Sequence, residues 1–145
     1  MEEMRADKFM LLVMVSNCVD ILFIGTTAIT AIGFNDNKAE AIYWVFNIIT
    51  VIAMIKLHKK TGGRRWNEFQ SKDELERSIT LAAAKRTLIA FQMTLVMLLI
   101  GLIMLLELGQ HDKFPMVTLL AIPGVLIAMQ IYYSLTWVKE YKEVL

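Results

Sequence analysis

Cysteine is nearly absent from this chain. With Cys18 alone, no internal disulfide and no thiolate metal cage can form. Proline is almost as scarce, at two residues, so a proline-rich linker between domains is excluded. The chain has no His-Glu-x-x-His pattern, no glycine-rich phosphate loop and no serine placed to pair with a histidine. Thr61-Gly62-Gly63-Arg64-Arg65 lacks the Lys-Ser/Thr pair that ends a phosphate-cradling loop. The two histidines, His58 and His111, fall in hydrophilic breaks that alternate threading places on opposite sides of a membrane. The expectation is a non-enzymatic protein without a cofactor.

Charge is missing over most of the length as well. Four runs, at about 9–34, 39–58, 85–108 and 114–138, are apolar apart from a few side chains and the boundary charges. Each approaches or exceeds the roughly 20 residues that a helix needs to cross a bilayer. Hydrophobic residues make up 57% of the chain and the mean hydropathy is +0.53, whereas soluble domains are roughly 45–50% apolar. Four buried helices of a soluble bundle would each show one polar face. These runs are apolar nearly all round.

The spacing therefore predicts an all-α integral membrane protein of one domain, 1–145. Its four transmembrane helices form two antiparallel hairpins, because Asn35 to Glu40 and Gly109 to Pro115 are short, turn-rich connections. The long connection, 59–84, holds a cytoplasmic loop and a helix start. There Ser71-Lys72-Asp73-Glu74 fits a capping box, Asp73 and Arg77 are spaced to pair, and Leu75, Ile79, Ala82 and Ala83 form a stripe. The third helix is thus expected to extend into the cytoplasm. Pro115 suits a first helical turn, and Pro123 should disturb the fourth helix where the Leu119 carbonyl loses its amide partner.

Arg5 and Lys8, the Lys56 to Arg86 group, and Lys139 with Lys142 fall on one side of alternating spans, against Lys38 and Lys113 on the other. By the positive-inside rule both termini face the cytoplasm of a multi-pass protein, expected in a microbial plasma membrane. Lys59, Lys60, Arg64, Arg65 and Trp66 are expected to meet anionic lipid headgroups, each basic residue contributing about 1 kcal/mol near the surface. That use of the charges leaves none calling for nucleic acid. Tyr43 and Trp44, and at the other end Tyr132, Tyr133 and Trp137, are placed for the headgroup level.

One feature of the runs is chemical. Asp20 lies near the middle of the first, where an ionised group costs about 2.5–3.5 kcal/mol on insertion scales and so faces a protein interior or a wet cavity. Counted from the cytoplasmic ends, Asn17, Asp20, Asn47, Gln92 and Gln130 lie at depths of roughly 9–17 Å. Ser16, Asn17, Asp20 and Thr27 share one helical face. The expected site is a polar layer of Ser16, Asn17, Asp20, Asn47, Gln92 and Gln130 that binds a cation or a proton in a transport or channel role. Two readings stand beside it. The amides can be interhelical glue, at about 0.6 kcal/mol per hydrogen bond, or Asp20 can meet a basic residue of a partner. An accessory, regulatory or immunity-type protein acting through helix contacts is the alternative function, with a homo-oligomer or a larger membrane partner expected. Glu107, His111 and Asp112 are read as ordinary interfacial residues. The intramembrane acid resembles that of small multidrug transporters, but the long basic loop and capped helix start depart from them, and the likeness implies no residue roles.

Overall fold

The computed structural model describes residues 6–32, 37–61 and 74–144, and the regular structure in them is entirely helical. Helix α1 spans Ala6–Ile32, α2 Asn37–Thr61, α3 Glu74–Glu107 and α4 Phe114–Val144. All four are long and apolar enough to cross a membrane. The expected capping box, Arg64, Arg65, Trp66 and residues 33–34 of the first run lie outside the described residues.

Leu, Met, Ala and Ile dominate the helices, and no proline interrupts α1, α2 or α3. With 34 residues, α3 is about 51 Å long, and the segment before Lys85 is continuous with the apolar run after it. Its end is built by Gly109, whose φ of 72° is the left-handed conformation that a side chain would oppose. There the Gly109 amide donates to the Leu106 carbonyl at 3.0 Å, and the Gln110 amide to the Leu105 carbonyl at 3.2 Å. These two bonds make a Schellman stop and satisfy carbonyls that the helix end would otherwise leave bare. One 3-10 turn, His111–Lys113, then leads into α4, where Pro115 sits in the first turn.

Helix α4 continues through Pro123 and on to Val144, past the expected end at 138. The charged tail is helical because its side chains find partners at helical spacing. Trp137 and Tyr141 stack with centroids 5.1 Å apart, and Lys139 reaches Glu143 at 3.8 Å.

The helices pack as a row in the order α2, α1, α4, α3. Among the described residues α2 and α3 make no comparable contact with each other. At one end of the row Met10 of α1, Ile79 and Ala83 of α3, and Trp137 and Val138 of α4 converge in a buried cluster. Farther along, Gly25 of α1 meets Pro123 of α4. Met10 precedes Gly25 while Val138 follows Pro123, so α1 and α4 run in opposite directions. The same fifteen-residue interval separates the contacts on both helices, which keeps them in register over roughly 22 Å.

Trp137 was expected at the headgroup level but is buried, at 3% exposed. Its indole N–H donates to Thr80 Oγ1 at 2.9 Å, giving the polar edge of the ring a partner inside the protein. Arg86 and Glu140 make an ion pair beside this cluster.

Candidate functional site

The buried face of α1 begins as a stripe with a spacing of three residues: Asp7, Met10, Val13 and Ser16. Val13 and Ser16 are 0% exposed. Asp20 lies one turn beyond Ser16. Its residue is half-buried, as is its neighbour Asn17, and its Oδ1 atom is shielded from solvent. On α4, Gln130 and Ser134 share the helical face of Pro123, which touches α1. Ser134 is 0% exposed and Gln130 is half-buried. The register set by Met10 and Gly25 brings Ser134 to within about 3 Å of the level of Ser16, and Gln130 to within about 3 Å of that of Asp20.

The two serines differ from the hydroxyl residues elsewhere in the helices. Thr26, Thr27, Thr30, Thr87, Thr94 and Thr118 all donate back to a carbonyl one turn earlier. Ser16 Oγ and Ser134 Oγ, both buried, have no hydrogen-bond partner among the described residues. A buried hydroxyl left in this condition costs about 1–3 kcal/mol. Water or a bound cation would relieve it.

Asn47 and Gln92 occupy other places. Asn47 is buried between α1 and α2, where its carboxamide is engaged by threonines. Thr26 Oγ1 donates to Asn47 Oδ1, Thr27 Oγ1 stands 3.4 Å from the same oxygen, and Asn47 Nδ2 donates to Thr30 Oγ1 at 3.1 Å. Thr50, one turn along α2, is buried on the same face. Gln92 is exposed near the middle of α3, a helix that packs on α4 rather than on α2. The layer anticipated from depth thus divides. Ser16, Asn17 and Asp20 of α1 and Gln130 of α4 fall within about 6 Å of one another along the central helix pair, Asn47 fastens α2, and Gln92 stands apart.

The role of Thr26 and Thr30 was not read from the sequence. The signal available for it was their spacing of four, which puts two hydroxyls on one face within reach of a single carboxamide. Replacing Asn47 with Leu should cost about 1 kcal/mol, within the range for interhelical bonds in membranes. The loss is modest because each threonine keeps its carbonyl partner, and it is read as a small fall in the unfolding midpoint in detergent.

Lys59 and Lys60 are exposed at the end of α2. Among the described residues no three His, Cys, Asp or Glu side chains gather as a metal site, and Glu107, His111 and Asp112 are exposed. No protein-family model, curated protein or solved structure matches this chain.

Proposed function

We propose that the chain is a non-enzymatic multi-pass membrane protein that binds a cation or a proton at Asp20, as a component of a transport or channel system. The observation that carries this reading is the pair of buried, unused hydroxyls of Ser16 and Ser134 at one level of α1 and α4, about one to two helical turns from an acid whose Oδ1 is shielded from solvent. Intramembrane acids mark ion and proton pathways, and hydroxyl and carboxamide oxygens are the donors that replace a cation's water. In this reading Asp20 supplies the charge or exchanges the proton, Gln130 supplies a neutral oxygen near its level, and Ser16 and Ser134 supply neutral oxygens about one to two turns further along the same helix pair.

Exposure supports the bilayer setting. Met93, Met97, Leu99 and Met104 on α3, and Ile48, Ile49 and Ile52 on α2, are each at least half exposed. Apolar surface this continuous is unusual on a protein dissolved in water and ordinary on one dissolved in lipid. The four helices then form two antiparallel hairpins, with both termini and the 59–84 segment in the cytoplasm where the basic residues collect.

In proteoliposomes carrying an imposed ion or proton gradient, Asp20→Asn should reduce flux to the level of empty vesicles while leaving helicity and detergent stability unchanged. Equal flux with Asn at position 20, or no flux with the parent protein across protons and alkali cations, would overturn the proposal.

The open row favours a second reading. It leaves the outer faces of α2 and α3 to lipid or to another membrane chain, as an accessory, regulatory or immunity-type protein acting through helix contacts would require. Such a protein forms a homo-oligomer or is recovered from native membranes with a stoichiometric partner. Recovery as a monomer alone would remove this reading.

A further inference from the structure

We propose that the groove between the start of α1 and the end of α2 is a binding site for one anionic phospholipid. Lys8, Leu11, Leu12 and Val15 of α1 and Lys60 of α2 line an open groove of about 450 Å³. The two lysines come from opposite ends of the α1–α2 pair in sequence and meet at the same end in space. Both are exposed, and among the described residues neither ammonium makes an ion pair. The neighbouring carboxyl of Asp7 is turned into the buried stripe of α1, where its Oδ1 accepts the Lys8 backbone amide at 2.9 Å.

Lys8 and Lys60 bring two cationic groups to the groove, while Leu11, Leu12 and Val15 continue along α1 toward the apolar run. A phosphate accepts hydrogen bonds from both ammoniums and neutralises their repulsion. The lysine stems and the leucines provide an apolar wall for the first part of an acyl chain. Free inorganic phosphate would match the two ammoniums and leave the apolar wall unused, and a zwitterionic lipid would bring a further cation to the lysines. A phospholipid with net negative charge satisfies both parts. The site is remote in function from Asp20, so its occupancy is independent of whether ions pass there.

The test is native mass spectrometry of the full chain released from nanodiscs of phosphatidylcholine containing a minor fraction of phosphatidylglycerol. The parent should retain one phosphatidylglycerol in preference to phosphatidylcholine. Each basic residue near an anionic surface contributes roughly fivefold in affinity. Lys8→Gln combined with Lys60→Gln should therefore weaken retention by about 25-fold, whereas Lys139→Gln combined with Lys142→Gln, which removes equal charge from the other end of the chain, should leave it unchanged. Competition by inorganic phosphate at millimolar concentration should fail to strip the lipid. Equal retention in both double variants, no preference for phosphatidylglycerol, or displacement by phosphate alone would each overturn the proposal.

Discussion

Trp137→Ala should lower the unfolding midpoint of the detergent-solubilised chain more than any other single truncation in the α3–α4 contact. Trp137 fills the centre of the only cluster in which three helices meet among the described residues, with Met10, Ile79, Ala83 and Val138 around it. The ring is 3% exposed at the end of α3 that precedes Lys85, so its burial there stabilises through close packing as in any protein core. Cutting a buried aromatic back to a methyl group costs about 3–5 kcal/mol, the transfer term and the cavity term together. The stack on Tyr141 is lost as well.

Graded substitutions separate the ring from its N–H. Trp137→Phe keeps most of the packing but leaves Thr80, 1% exposed, without its donor, at about 1–3 kcal/mol. Thr80→Val leaves the indole N–H facing methyl groups and should cost a similar amount. The pair Trp137→Phe with Thr80→Val removes both polar groups, so its loss should be smaller than the sum of the single losses. Strict additivity would show that the 2.9 Å bond contributes nothing.

The helices themselves were legible because length and apolar content are one-dimensional properties. Four runs of adequate length became four helices, of which α2 extends two or three residues beyond its run at each end, α3 begins eleven residues before its run and α4 ends six residues after its own. Facing was another matter. A helix that is apolar all round has no face that burial must select, so nothing in the outer half of α3 marks which side meets α4. Between helices of this kind the selecting contacts are made by small and polar groups: Gly25 against Pro123, Asn47 among Thr26, Thr27 and Thr30, and Trp137 on Thr80. The same limit applies to the candidate site. Depth along each helix can be counted from the sequence, and it puts Gln92 in the same layer of roughly 9–17 Å as Asp20; the side of the helix cannot be counted, and Gln92 is exposed on α3. Asp20 was legible because an acid in an apolar run is conspicuous, whereas Ser16 and Ser134 became conspicuous only once their hydroxyls were known to lack the carbonyl partners that the threonines have.

Gly25→Leu should separate α1 from α4 and cost about 1–3 kcal/mol, the usual range for forcing extra carbons into a filled contact. A Cβ at Gly25 would stand 3.0 Å from Pro123 Cγ and 3.2 Å from Pro123 Cβ, closer than carbons ordinarily approach. The proline ring can change only its pucker, which shifts Cγ but leaves Cβ in place, so a leucine side chain forces the helices apart. Movement of α4 is resisted at its far end by Trp137 and Val138, which are packed against α1 and α3. Gly25→Ala sets two effects against each other. Alanine gains about 1 kcal/mol of helix propensity over glycine, while its Cβ requires a shift of a few tenths of an ångström, and the net change should be near zero. Gly101 provides the comparison, because nothing stands within 4 Å of a Cβ built there. Gly101→Ala keeps the propensity gain without the crowding, and Gly101→Leu should be neutral or stabilising. Pro123→Ala should restore part of the stability lost in Gly25→Leu, since it removes the ring carbon that the new side chain meets. Flux through the proposed Asp20 site should fall in Gly25→Leu alongside stability, because the substitution spreads the helix pair that holds Ser16 and Ser134 at one level. If Gly25→Leu and Gly101→Leu unfold at the same midpoint, the close approach of α1 and α4 is not what aligns these residues.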